Sequence, residues 1–91
     1  DKTAPSISAA GANATITCPA TPIFTAPTAT DACDNNPTIV LVSDITVDGP
    51  CAGTYTRTKT WKAVDACGNE SGTVSQAITV EDKTAPSITA A

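Results

Sequence analysis

The chain has 91 residues, a net charge of −4, no histidine and only three aromatic side chains, Phe24, Tyr55 and Trp61. Charge this small and dispersed lacks the basic stripe that nucleic acid requires, and no apolar run approaches the ~20 residues of a membrane helix. Without histidine, serine–histidine and cysteine–histidine catalysis are excluded, and no other constellation of reactive groups takes their place, so the sequence does not read as an enzyme.

Seventeen threonines, one leucine, two glutamates and seven prolines give an all-β composition, and no stretch of ten residues carries helical periodicity. In chain order, Ser6 to Ala10 reads as a short first strand after Pro5. Ala14 to Cys18 begins a second strand, which Pro19, Pro22 and Pro27 interrupt before Thr28 to Asp31; prolines deny ladder donors, so this part is an edge or an irregular crossing. Thr38 to Val47 is a strand with Ile39, Leu41, Ile45 and Val47 on one face, broken by Ser43. Thr54 to Val64 is the longest strand. Thr73 to Val80 groups Val74, Ile78 and Val80, with Gln76 among them. Short strands separated by turns favour an antiparallel sandwich of two sheets, with Trp61, Ile39, Leu41 and Ile78 in its core. The long strand sets Tyr55, Arg57, Lys59, Trp61 and Ala63 on one parity. A core Trp61 therefore turns Arg57 and Lys59 inward, unless a bulge lies between Lys59 and Trp61 or the strand outruns its partner sheet.

The ends carry the strongest pattern. "DKTAPSISAA" at Asp1 and "DKTAPSITAA" at Asp82 agree in nine of ten positions, 81 residues apart, with Ser8 against Thr89 as the one change. This is the signature of a tandem array: residues 1–81 form one repeat, and residues 82–91 form the first strand of the next. A domain of 81 residues with so few aromatics buries a thin core and needs a covalent staple. Cys18, Cys33, Cys51 and Cys67 can supply it. No C-x-x-C pair and no histidine are present to make a zinc site, which leaves disulfides in an oxidising compartment. Cys18 to Cys33 is 15 residues and Cys51 to Cys67 is 16. If the two segments run the same way, Cys18 lies near Cys51 and Cys33 near Cys67, and these are the expected bridges.

"TDACDNN" at Thr30 and "VDACGNE" at Val64 place similar turn residues at the ends of two strands. Asp31, Asp34, Asn35, Asp65 and Asn69, which Asp1 is expected to join if the sandwich topology brings it to the same end, are hard oxygen donors suited to Ca²⁺. Asp and Asn are equally good turn formers, and no D-x-D-x-D-G loop is present, so calcium is the one candidate cofactor and none is required. "NAT" at Asn13 and "NES" at Asn69 are glycosylation sequons, with unmodified asparagine as the default. A lone Trp on a strand is a core plug more often than a sugar platform.

"APTATDAC", "RTKTWKAVDACGN" and "QAITVEDKTAP" resemble the immunoglobulin-like, hyalin-repeat-like modules of large bacterial surface proteins. Those modules recur in tandem on adhesins and extracellular filaments. The resemblance covers nearly the whole repeat, and Trp-x-Ala-x-Asp-x-Cys-Gly-Asn followed by Asp-x-Thr-Ala-Pro is its specific part. It implies a secreted, cell-surface β-sandwich with structural or adhesive use, and it implies no particular ligand. The expected role is a stalk or spacer whose partners are adjacent repeats of the same chain. The alternatives are a module that grips an adhesive ligand directly, and a filament subunit that packs against like chains.

Overall fold

In the computed structural model, residues 3–33, 36–83, 85, 86 and 88 are described, and among them there is no helix. Six strands follow the expected order: β1 (Ser6–Ile7), β2 (Ala14–Thr17), β3 (Ala29–Thr30), β4 (Thr38–Asp48), β5 (Tyr55–Val64) and β6 (Val74–Glu81). They form two sheets, a two-stranded β1–β3 ribbon and a four-stranded sheet in the order β2-β6-β5-β4. Every pairing is antiparallel except β2 with β6, which is parallel. The principal extents are 73 × 17 × 13 Å. The two short dimensions match the width of four strands at ~4.8 Å spacing and two layers ~10 Å apart.

Register decides which residues face the second layer. Tyr55, Arg57, Lys59 and Trp61 lie opposite Val80, Ile78, Gln76 and Val74 of β6, and Ala14 and Ile16 of β2 lie beside Ile78 and Val80. This is the inner face. Trp61, Ala63, Ile78 and Val80 are buried on it, as is Gln76, and the ribbon's β1 lies against β5. The opposite face of the sheet is lined with hydroxyls. Thr56 and Thr79 stand 3.3 Å apart, and Thr60 and Ser75 are hydrogen-bonded at 2.8 Å.

The prolines account for the irregular crossing. Residues 18–28 contain no strand, because Pro19, Pro22 and Pro27 cannot supply ladder donors. Gln76 takes over part of the ladder's task. Its Oε1 accepts the Thr25 N–H at 2.9 Å and its Nε2 donates to the Ala12 carbonyl at 3.0 Å. One side chain thus ties two points of the covering layer to the sheet. Gly11 is small for the same reason, since a Cβ there would lie 2.8 Å from Gln76 Oε1. An apolar residue in place of Gln76 would leave two backbone partners without their bonds, at a cost of about 1–3 kcal/mol for each group that stays buried.

Two expectations need correction. Ile39, Leu41, Ile45 and Val47 do not share a face. The register of β4 against β5 shifts between Leu41 and Ser43, so Val42 is an extra residue in a bulge. Ile39 and Leu41 stay on the inner face opposite Ala63 and Trp61, whereas Ile45 and Val47 swing to the outer face opposite Thr58 and Thr56. Ile39 is half-buried, but Leu41, expected in the core, is 49% exposed, because β4 is the edge strand and the ribbon does not reach over it. Of the alternatives left open for the long strand, a bulge between Lys59 and Trp61 is not the one adopted, since β5 pairs with β6 in unbroken register from Tyr55 to Trp61. Arg57 and Lys59 therefore do face inward with Trp61.

Candidate functional site

The Asp-Ala-Cys-Gly-Asn stretch at 65–69 closes the end of β5. Gly68 N–H donates to the Asp65 carbonyl at 3.1 Å and Asp65 N–H to the Asn69 carbonyl at 3.0 Å, and Val64 bridges Glu70. This is a tight reversal whose fourth residue sits at φ +84°, a conformation glycine adopts without strain. The chain then returns along β5, where Ser71 Oγ accepts the Ala63 N–H at 2.8 Å and Lys62 pairs with Glu70.

Asp65 organises this loop. Its Oδ1 accepts the Cys67 and Asn69 N–H groups, each at 2.9 Å, and its Oδ2 accepts the Asn69 Nδ2 at 2.9 Å. Three donors on a carboxylate favour its charged form. The Asn69 side chain, aided by the backbone N–H groups of Asn69 and Cys67, holds the Asp65 pKa below the usual carboxylate range, against the opposing effect of burial. Asp65 and Asn69, expected as calcium ligands, thus turn their polar atoms on each other and on their own loop. Asp31 is half-buried after β3. Asp1, Asp34 and Asn35 lie outside the described residues, and among the described residues no three acidic or cysteine side chains come together as a metal cluster. Of the sequon asparagines, Asn13 Oδ1 accepts the Ala77 N–H at 2.8 Å and so ties the start of β2 to β6.

A second polar group lies on the inner face where the ribbon gives out. Arg57 Nε and Nη2 donate to Asp44 Oδ1 and Oδ2 at 2.8 and 2.6 Å, a two-pronged pair. The Arg57 hydrogen bond lowers the Asp44 pKa. The Phe24 ring covers both cations, with its centroid 5.5 Å from the Arg57 guanidinium and 4.9 Å from Lys59 Nζ. Phe24 and Asp44 complete this group, and the sequence did not single them out. The available signal was the inward parity of Arg57 and Lys59, which required an acid and an aromatic cover.

The four cysteines are free thiols in this structure, and the expected bridges are not formed. Their placement at the ends of the sheet is nevertheless ordered. Cys18 follows β2 and donates its N–H to the Glu81 carbonyl at 2.7 Å, at the end of β6. At that same end the β4–β5 turn carries Cys51, and a Cβ on Gly53 of this turn would lie 3.6 Å from Cys18 Sγ. At the other end Thr38 pairs with Val64. Cys33 precedes the first of these by five residues and Cys67 follows the second by three.

A family model described as the HYR-like domain with 4 cysteines matches residues 6–80. No curated protein and no solved structure matches the chain.

The charge of Asp65 gives the loop a pH signature. A native pKa below the unfolded value of about 3.9 contributes stability that is complete above pH ~4 and lost as pH falls through the native pKa. Asp65→Asn should lower the melting temperature at pH 7, and the gap to wild type should close as the pH falls below ~4. Thermal unfolding by circular dichroism across pH 2–7 checks this. A gap that is absent at pH 7, or that stays constant into acid, would remove the charged-cap role.

Proposed function

The chain belongs to the family of HYR-like domains with four cysteines, and on that premise we propose that it is one repeat of a long extracellular bacterial surface protein, a stalk or spacer in adhesion. HYR-like domains are typically extracellular modules of the repeat and adhesion type. The observation that carries the finer reading is the interval of 81 residues between two near-identical segments. β6 ends at Glu81 and the second copy begins at Asp82, while the family match at 6–80 fits inside one interval. Residues 1–81 are then one immunoglobulin-like sandwich, and residues 82–91 open the next. Its role is mechanical and not enzymatic. Each unit adds reach, and stability is the sum of units and junctions. The 11 residues of β4 span about 37 Å at ~3.4 Å per residue, which sets the length contributed per repeat.

Oxidation completes the unit. The end-to-end placement of the thiols supports Cys18–Cys51 and Cys33–Cys67 as the pairs. Each bridge closes a loop of more than thirty residues and contributes about 4 kcal/mol in the chain-entropy model, a large share of what a core of one Trp and a few aliphatics can supply. A filament role with like chains is a second reading. It is favoured by Val42, Ile45 and Val47 on the free edge strand, which are 49%, 56% and 62% exposed.

Two measurements test these readings. Peptide mass mapping of protein folded under air should return Cys18 linked to Cys51 and Cys33 linked to Cys67; a Cys18–Cys33 peptide would discard the placement argument. Small-angle scattering on a protein carrying residues 1–81 twice, followed by residues 82–91, should show its maximum dimension increase by about 40 Å over the single repeat. A doubled mass with no gain in length would mean that repeats pack side by side, and the spacer reading would fail.

A further inference from the structure

We propose that residues 82–91 of one chain can take the place of β1 in another copy, pairing with β3 at Ala29 and Thr30, so that like chains join by exchanging a strand. The site is the β1 position on the ribbon, and the occupant is identified by sequence. β1 is held by few contacts. Ser6 pairs with Thr30 and Ile7 with Ala29. Ser8 donates its N–H to the Thr28 carbonyl at 2.8 Å, and its Oγ accepts the Thr28 N–H at 2.8 Å. Pro5 is buried and Ile7 is half-buried. A strand attached by so short a ladder frays ahead of the rest of the sheet.

Every group in that set recurs 81 residues later. Pro86, Ser87 and Ile88 repeat Pro5, Ser6 and Ile7, and Thr89 replaces Ser8. The single change keeps the hydroxyl that accepts the Thr28 N–H. Among these residues Ile88 is 95% exposed, against a half-buried Ile7. Seating it in the Ile7 position removes an isolated apolar side chain from water. The bond from Gly11 N–H to the Thr25 carbonyl falls beyond the ten matched residues and stays with the host chain. Incoming and outgoing segments are therefore nearly equivalent on the ribbon. The balance rests on the tether, since a chain's own β1 competes at the millimolar effective concentration of a short linker. Exchange is consequently scarce between dilute chains and grows where many copies are held side by side.

The inference needs the match between the two segments and the β1–β3 geometry, not the array, so its failure leaves the spacer reading standing. The test adds a peptide of residues 82–91, bearing an N-terminal nitroxide, to the isotope-labelled 91-residue chain and follows paramagnetic broadening of its amides. Broadening is expected at residues 28–30, and an Ile88→Asp peptide should abolish it. In the full chain carrying Ile7→Asp, whose own β1 competes poorly, the apparent affinity should increase about tenfold or more, because the binding-competent fraction is larger. Absence of broadening at 28–30 in the wild-type chain, or equal broadening with the Ile88→Asp peptide, would overturn the proposal. So would an Ile7→Asp chain that folds and binds no better. If that variant does not fold, the two wild-type titrations decide the matter.

Discussion

One buried amide joins the two layers of this molecule. Residues 18–28 cannot pair as a strand, because their prolines lack the donors, yet they must cover a sheet whose inner face carries the core. Gln76 resolves the conflict from the sheet side. Set between Val74 and Ile78 on β6, it accepts from Thr25 and donates to Ala12, and so fixes the covering chain at two points without a ladder. A buried glutamine is costly unless both ends of its amide are satisfied, and here one oxygen bond and one nitrogen bond meet that condition. Replacing it with a larger core residue would fill the space but free the irregular segment to slide.

The rest of the inner face follows from how little this segment covers. Where the ribbon lies over β5 and β6, the side chains are Trp61, Ala63, Ile78 and Val80, and they are buried. Farther along β5, Phe24 lies over the sheet, and the inward positions become Arg57 and Lys59. Two cations on a core-side face would repel each other and resist desolvation. The bidentate bond to Asp44 and the ring of Phe24 offset this. Asp44 can reach Arg57 only because the Val42 bulge moves the residues after it onto the opposite parity. The same bulge turns Ile45 and Val47 to the outer face, so an inner ion pair and an exposed apolar edge share one cause.

The six strands and their order were legible in the sequence, since Thr, Val and Ile alternate between proline and glycine stops and turn chemistry marks each boundary. The faces of β4 were not. Periodicity of two has no means of registering one inserted residue, and "TIVLVSDITV" shows no glycine where the bulge falls. The parallel pairing of β2 with β6 was also hidden, because local pattern carries no information about partners distant in the chain. The loop at Asp65 was legible as a loop but not in its use of the carboxylate. The atoms that ligate a cation are the same atoms that cap a reversal, and only the placement of the Cys67 and Asn69 N–H groups identifies Asp65 as a cap.

These features are compatible with the spacer role proposed above. The 65–69 loop satisfies its own carboxylate, the core is thin, and Cys18 and the Cys51 turn lie at one end of the sheet while Cys67 follows β5 at the other. Force spectroscopy on a tandem protein of residues 1–81 tests the spacer role by comparing the extension released per unfolding event with and without reductant. Evenly spaced events are expected, one per repeat. In the oxidised protein each release should be shorter than in the reduced protein by about 110 Å, the length of the 33 residues that a Cys18–Cys51 bridge removes from the loaded path at ~3.4 Å each. Irregular events, or equal releases in the two conditions, would contradict a repeat built to bear tension through its covalent staples.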